Sequence, residues 1–193
     1  MSDTTVPSSQ IDVINEMLLV IGESPVSSLS GDVGVDVVSA KATLKSIQRI
    51  VQTEGWLFNT EHDFPLSRDI DGRIAVPTNA LKVDVAKQAG VDAVLRGTYM
   101  YDRANHTDVF TANLTARIVF GLTFEEMPET ARHYISYRAC RKFQDTSVGA
   151  VDLHRYTKAD EMRARVDFVG DQAEDADLNL LRDTPDFQEY WSS

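Results

Sequence analysis

The chain has 193 residues and a net charge of −11, from 30 acidic and 19 basic side chains, and its length suits one domain or one domain with an insert. The acidic balance disfavours a protein that grips nucleic acid over a broad face, because such a face needs clustered lysine and arginine. The single cysteine, Cys140, excludes an internal disulfide framework, and the lack of an apolar run of about 18 residues predicts that no segment crosses a membrane.

Residues 1–9 contain Pro7, the paired Ser8 and Ser9 and no basic residue, so we expect a flexible arm without a secretion signal. A helix is predicted next, because Ser9 can cap it, Asp12 lies near its positive end and Gly22 can close it. Its apolar residues form two stripes, which predicts burial against more than one neighbour. The stripes are Ile11, Ile14, Leu18 and Ile21, and Val13, Met17 and Val20.

A second helix is predicted after a loop at residues 22–35 that is rich in glycine and serine. Its apolar residues recur at alternating spacings of three and four, the period of one helix face, and Gly55 ends it. They are Val37, Ala40, Leu44, Ile47 and Val51. The apolar run of Trp56, Leu57 and Phe58 follows, and it either anchors the next region onto the helices or belongs to a subunit interface.

The periodicity changes between about residue 60 and residue 123, where short β-type runs alternate with turn residues. The runs are residues 74–76, 81–85, 93–95, 98–101 and 116–120. Asp69-Ile70-Asp71-Gly72 begins like a calcium loop but lacks the later carboxylates, so we expect a turn between strands there. The pattern predicts a small antiparallel sheet inserted between helices.

Helical signals return near Thr123, with Pro128 suited to a first turn and Gly149 marking the end of a third helix. A fourth helix is predicted to end near Ala176, and its apolar residues are Leu153, Tyr156, Met162, Val166 and Val169. The predicted fold is therefore α+β, an antiparallel helical bundle of about four helices with an inserted small antiparallel β-sheet and an extended C-terminal tail. The predicted regions are a flexible arm (1–9), the bundle (10–58 and 124–176), the β domain (59–123) and a docking tail (177–193).

Several short strings along the chain point to one family when they are taken together. They are Ile21-Gly22-Glu23-Ser24-Pro25-Val26, Gly55-Trp56-Leu57-Phe58-Asn59, Tyr101-Asp102-Arg103, Glu126-Met127-Pro128-Glu129 and Arg141-Lys142-Phe143. In order and spacing, over roughly residues 10 to 181, they resemble the tail tubular protein A family of short-tailed bacteriophages.

The resemblance implies a structural virion protein rather than an enzyme: an adaptor of the phage tail, also called a head-to-tail connector or gatekeeper, assembled in the host bacterial cytoplasm. It implies a homo-oligomeric ring of twelve copies, a dodecamer, that joins the portal protein to the tail nozzle protein, tail tubular protein B, with tail fibres attached nearby. Genomic DNA would pass through the lumen during DNA ejection without sequence-specific binding. The resemblance implies no cofactor and no membrane contact.

The residues themselves suggest no catalytic, cofactor or metal site. The four histidines lack partners at metal-ligand spacing, and they are His62, His106, His133 and His154. Cys140, beside an apolar helix face, is expected to pack as a small hydrophobe. The alternative function is a glycoside hydrolase that acts on bacterial surface polysaccharide through a carboxylate pair. The densest acidic group is Glu125, Glu126 and Glu129, although a helix start favours acids there anyway.

Charge is distributed unevenly over the last third of the chain. Residues 160–193 contain ten acidic and three basic side chains, whereas residues 129–158 contain six basic and three acidic ones. Either the last two helices pair across these surfaces, or neighbouring subunits alternate positive and negative faces around a ring. An acidic surface on the lumen would repel DNA phosphates and let the genome slide.

The tail carries large apolar residues whose burial alone does not offset the entropy of ordering the segment. We therefore expect it to order on a partner, or else to fold back on its own domain. The candidate interface residues are Trp56, Phe58, Tyr101, Arg103, Arg138, Arg141, Lys142, Leu178, Leu180, Leu181, Phe187, Tyr190 and Trp191.

Overall fold

The computed structural model describes residues 7–31, 33–86, 90–147 and 156–183, except for the side chains of residues 147 and 177–183. Within these ranges the chain forms two compact units. One comprises the residues up to Gln48 and from Thr123 onward, and the other is Arg49–Leu122. Helices build the first unit and the strands lie in the second, so the predicted α+β class is confirmed.

The first helix, α1, spans Gln10–Val20, and both of its ends are built as the sequence predicts. The Ser9 side chain accepts a hydrogen bond from the Asp12 N–H, and the Asp12 carboxylate accepts one from the Ser9 N–H at 3.0 Å. At the other end Gly22 has a φ of +85°, and the Glu23 N–H donates to the Leu18 carbonyl at 3.0 Å. This Schellman ending needs a left-handed residue, which glycine supplies without strain.

The second helix, α2, spans Val35–Thr53, and all five apolar residues predicted to share its inner face are buried. Its last turn, from Arg49 onward, belongs to the second compact unit. Gly55 follows with a φ of +84°, at the predicted stop. Residues 49–58, which the sequence pattern assigned to the bundle, group with the strands in this division.

Two long helices, α3 at Glu129–Ser147 and α4 at Lys158–Asp183, pack against each other in the first unit. They run antiparallel. Thr130, near the start of α3, donates a hydrogen bond to Asp171 at 2.6 Å, whereas Arg141, farther along α3, pairs with Glu161. Consecutive helices of an antiparallel bundle are expected to be arranged in this way.

The limits of α4 differ from the predicted ones. The Thr157 hydroxyl accepts a hydrogen bond from the Asp160 N–H at 3.2 Å, and the Asp160 carboxylate accepts one from the Thr157 N–H at 3.1 Å, so this cap places Tyr156 before the helix. At the other end α4 continues past Ala176 to Asp183, because no glycine or proline interrupts it there. Residues 177–183, assigned above to the tail, are therefore helical, and Leu153 lies outside the described residues.

The start of α1 is fixed to the start of α3. The Ser8 N–H and hydroxyl donate to the Glu129 carboxylate at 3.1 and 2.5 Å, and Arg132 Nη1 donates to the Ser8 carbonyl at 2.9 Å. Ser8, expected in a flexible arm, is thus held in place. The buried apolar residues of the first unit's helices are Val13, Ile14, Met17, Leu18, Val37, Ala40, Leu44, Ile47, Ala131, Tyr134, Ile135, Ala139, Cys140, Phe143, Ala164 and Phe168.

In its described residues, the second unit contains five antiparallel strands in two sheets. The strands are β1 (Thr60–Leu66), β2 (Ala80–Val85), β3 (Ala93–Arg96), β4 (Tyr99–Asp102) and β5 (Leu114–Phe120). One sheet has the order β1-β5-β2, and β3 and β4 form a hairpin. Four of the predicted runs, at 81–85, 93–95, 98–101 and 116–120, are confirmed as strands.

Two features of the β unit were predicted wrongly. Strand β1 was missed because it contains Pro65 and few β-branched residues, and because it is an edge strand whose pairing with β5 is interrupted between Glu61 and Phe64. Residues 74–76 are not a strand, and Ile74 and Ala75 form only isolated bridges to Arg68 and Tyr99. Both outcomes depend on pairing partners distant in sequence.

A core of its own holds the β unit together. Its buried members are Leu66, Ile74, Val76, Met100, Phe110, Leu114, Ala116 and Ile118. The predicted turn at Asp69 is confirmed, because the Asp69 carboxylate accepts hydrogen bonds from the N–H groups of Asp71 and Arg73 at 3.0 and 2.8 Å.

Two buried amide side chains join the point where the chain enters the β unit to the point where it leaves. Gln52 bonds both backbone groups of Leu122, donating to the carbonyl at 3.1 Å and accepting from the N–H at 2.6 Å. Asn59 Nδ2 donates to the carbonyls of Gln52 and Phe120 at 3.0 and 2.8 Å, and Asn59 Oδ1 accepts from the Trp56 N–H at 2.9 Å. Both side chains are 3% exposed. We call this pair the amide clamp.

We expect Asn59→Ala to lower the free energy of unfolding by about 2 kcal/mol or more, because it leaves buried backbone groups without partners. Urea denaturation followed by circular dichroism measures the loss. The matched control is Asn79→Ala, which removes one exposed hydrogen bond to the Gly121 carbonyl at 3.4 Å and should cost less than about 0.5 kcal/mol. Equal losses in the two variants would show that the amide clamp contributes no more to the free energy of unfolding than an exposed hydrogen bond does.

Candidate interface residues

Three of the predicted interface residues lie on α3, close to the acidic helix α4. Arg138 Nε lies 3.8 Å from Glu161 Oε1, and the Arg141 guanidinium bonds the other oxygen of the same carboxylate. Arg141 also pairs with Asp145 at 3.1 Å, whereas Lys142 is exposed. Pairing of the two C-terminal helices within one subunit is therefore confirmed for Arg138 and Arg141. Alternation of charge between subunits stays a prediction.

A buried tyrosine organises the arginines of this surface. The Tyr134 hydroxyl accepts hydrogen bonds from Arg138 Nη1 and from Arg165 Nη1 on α4, each at 3.0 Å. The ring of Tyr134 is stacked on that of Phe168, with centroids 5.9 Å apart. A pocket of about 270 Å³ opens here between α3 and α4, lined by Tyr134, Arg138, Arg141, Lys158, Glu161, Met162 and Arg165. The lining holds four cationic groups and one carboxylate, so it favours an anionic group.

The aromatic segment after α2 is held by bonds within the second unit. The half-buried Trp56 donates its indole N–H to the Val51 carbonyl at 2.8 Å, which satisfies a carbonyl in the last turn of α2. Phe58 is half-buried and Leu57 is 46% exposed. This local role is structural, and an interface role for Trp56 and Phe58 stays a prediction.

Tyr101 and Asp102 end strand β4 at the open end of the β3–β4 hairpin, and Arg103 follows them. The Arg96 guanidinium lies 3.6 Å from the centre of the Tyr101 ring, and Arg103 pairs with Asp92 at 2.8 Å. Asp102, which lies between Tyr101 and Arg103 in the sequence, is buried. Its carboxylate accepts a hydrogen bond from the Asn105 side chain at 2.7 Å and one from the Ala104 N–H at 2.9 Å. The hydrogen bond from the Asn105 side chain and those from backbone N–H groups hold the pKa of Asp102 below its ordinary value, against the effect of burial.

The three carboxylates considered for hydrolysis, those of Glu125, Glu126 and Glu129, form hydrogen bonds at the starts of helices. Glu126 accepts hydrogen bonds from the Thr123 N–H at 2.7 Å and hydroxyl at 2.8 Å, and these lower its pKa. Glu129 binds Ser8, and Glu125 accepts from the Gln10 N–H at 3.3 Å. A general acid needs a raised pKa, so the shift at Glu126 has the wrong sign for that role.

The described residues contain no group of three or more histidine, cysteine or acidic side chains arranged to hold a metal ion. Cys140 is buried in α3, where it packs as the sequence predicts. Of the tail residues, Leu178, Leu180 and Leu181 belong to the helical backbone of α4, and their side chains are not described. Phe187, Tyr190 and Trp191 lie outside the described residues.

Sequence reasoning missed three features. The amide clamp carries no motif, since Gln52 and Asn59 are ordinary polar residues until the fold brings Leu122 beside them. Tyr134 was not singled out, although tyrosine one turn before Arg138 is a visible signal. The apolar residues Met162, Val166 and Val169 of α4 are exposed by 54%, 62% and 42%. The sequence does not show their exposure, which becomes clear only when the buried positions of the same helix are known.

Comparison with known proteins supports the resemblance of the short strings. A family model described as Tail tubular protein matches residues 11–178, a span that contains every string. The chain is 27% identical over 129 residues to Tail tubular protein A of Klebsiella phage KP34, an alignment that covers 66% of this chain and 67% of that protein. In the described part of the chain, no helix is long and apolar enough to cross a membrane.

We expect the stability of the β unit to fall on acidification through the titration of Asp102. Because the folded pKa lies below the ordinary value of 3.8, the carboxylate stabilises the fold above that value, and the contribution is lost as the pH falls through the folded pKa. Urea denaturation at pH 7 and at about pH 3 should show a smaller pH effect for Asp102→Asn than for the wild type. Glu61→Gln, which removes an exposed carboxylate from β1, is the control, and a pH response of Asp102→Asn equal to the wild type's would refute the assignment.

We expect Glu161→Gln to destabilise the α3–α4 contact by about 1 kcal/mol, because Arg138 and Arg141 lose a shared carboxylate that is largely shielded from water. The loss should shrink in about 1 M salt, where ion pairs are screened. Urea denaturation at low and high salt checks both statements. Glu174→Gln, on the exposed side of α4, should have little effect, and a salt-independent loss for Glu161→Gln would argue for packing rather than charge.

Proposed function

We propose that this chain, which belongs to the tail tubular protein family and is a structural protein of a phage tail, forms the adaptor ring between the portal and the tail nozzle. The observation that carries the proposal is the family match over residues 11–178, which takes in both compact units. The ring contains twelve copies and surrounds the DNA exit path. Its partners are the portal protein, the nozzle protein tail tubular protein B, and tail fibres at the junction.

The mechanism in this proposal is geometric. One face of the ring matches the portal, the other matches the nozzle, and the lumen passes a DNA duplex. The acidic residues Asp167 and Asp175 are exposed on α4, and with a net charge of −11 the chain offers acidic surface for a lumen that repels phosphate. The acidic group at the starts of the helices is engaged in hydrogen bonds within the subunit, which weighs against the alternative of a hydrolase with a carboxylate pair.

The test is to mix the purified chain with purified portal rings of the same phage and to image and size the product. We expect a second ring stacked coaxially on the portal at micromolar protein concentration in moderate salt. The matched control is a portal ring from a phage with a different tail type, which should bind nothing. Failure of the chain to associate with its own portal well above micromolar concentration would overturn the adaptor role.

A further inference from the structure

Among the described residues, helix α4 packs one of its faces within the subunit and leaves a second, apolar face exposed. Ala164, Phe168 and Gln172 are buried, and Phe168 stacks on Tyr134 of α3. The other face carries Ala159, Met162, Val166, Val169 and Ala173, all exposed. We call these five residues the α4 seam.

The spacing of the α4 seam is that of a helix-packing surface. Its members recur at alternating intervals of three and four residues, the pattern by which one helix packs along another. Scattered exposed apolar residues are common on protein surfaces, but a continuous stripe marks an interaction site. Met162, Val166 and Val169, exposed by 54%, 62% and 42%, form its centre.

Charged groups flank the α4 seam. Asp167 and Glu174 are exposed, and the 100° turn per residue places both on the same side of it. On the opposite side, Lys158 and Arg165 border the cationic pocket that also includes Met162 of the seam.

The side of the α4 seam that carries Asp167 and Glu174 also carries the exposed Arg163, near the start of α4, where it pairs with Asp160 at 3.9 Å. A partner helix therefore needs an apolar stripe and a cationic group that meets the later, acidic part of that side, at Asp167 and Glu174.

The exposed face of α2 meets these requirements. Val35 and Val38 are exposed by 82% and 55%, and Ala42 and Lys45 continue the same line and are also exposed. We call these four residues the α2 stripe. The opposite side of the helix is buried, so in the part of the chain that the structure describes the stripe is a second exposed face of the same unit.

We propose that the α4 seam of one subunit packs against the α2 stripe of the next copy of the chain, with the helices parallel. Val38 then lies beside Val166, and Lys45 lies beside Glu174. The axial separations agree, since Val38 to Lys45 spans about 10 Å of helix and Val166 to Glu174 about 12 Å. This inference rests on the ring proposed above.

A second copy is the occupant because the two faces belong to different helices and complement each other in charge. A contact between unlike faces is heterologous, and a ring repeats such a contact around its axis. Packing α4 against α4 would instead join like faces about a two-fold axis and stop at a dimer. It would also leave the α2 stripe uncovered.

Disulfide trapping tests the contact in the assembled ring. The double variant Val38→Cys with Val166→Cys should give a ladder of covalent multimers on mild oxidation, and each single variant should give none. The native thiol, Cys140, is buried and does not compete. The matched control, Asp36→Cys with Val166→Cys, uses an exposed position of α2 off the stripe and should give no ladder, because a disulfide needs Cα atoms within about 7 Å.

Charge reversal provides a measurement that does not depend on cysteine chemistry. Lys45→Glu and Glu174→Lys should each lower the yield of rings on the portal several-fold, and the double reversal should restore it, as expected for a direct pair. Circular dichroism verifies that each variant is folded.

The outcomes separate this inference from the proposed function. Rings on the portal without a ladder and without charge rescue would overturn the contact and leave the adaptor role intact. Dimers from Val166→Cys alone would show that α4 pairs with itself, which also overturns it. If no ring forms with the wild-type chain, the adaptor role fails, and the contact fails with it.

Discussion

The amide clamp is the constraint on which the β unit depends. The chain must enter and leave an inserted domain at nearly the same place. Gln52 and Asn59 meet this requirement by binding the backbone at residues 120 and 122. Each amide uses both its donor and its acceptor side, so burial costs little. An apolar side chain of similar size would fill the space but leave the backbone groups of Leu122 without partners.

Most of the strings that carry the family resemblance contain a residue that ends a helix or fixes the backbone of a turn or loop. Gly22 provides the left-handed residue that ends α1, and Gly55 does the same after α2. Asn59 completes the amide clamp, and Asp102 ties the β3–β4 hairpin to the loop that follows it. A family recognised through helix ends and turns is held together by its architecture, which accords with a structural protein of a phage tail.

Patterns within short stretches of sequence made the helices and most strands predictable. The period of 3.6, the capping residues and the glycine stops are contained in short stretches of sequence, and α1 and α2 follow from them. Strand β1 was not predictable in this way, because its pairing with β5 depends on residues 48 to 59 positions away. The candidate residues show the same division: the uneven charge predicted that the last two helices could pair, as Arg138 and Arg141 do with Glu161, whereas the exposure of Val166 depends on which face of α4 packs on α3.

The interrupted edge strand β1 bears on solubility. Pro65 has no N–H to offer, and the irregular register between Glu61 and Phe64 breaks the regular line of hydrogen-bonding groups along that edge. At the other edge, β2 carries exposed Lys82 and Asp84. Sheets with such edges resist adding strands from another molecule. In the proposed ring, copies of the subunit can thus lie side by side without their sheets fusing into fibrils.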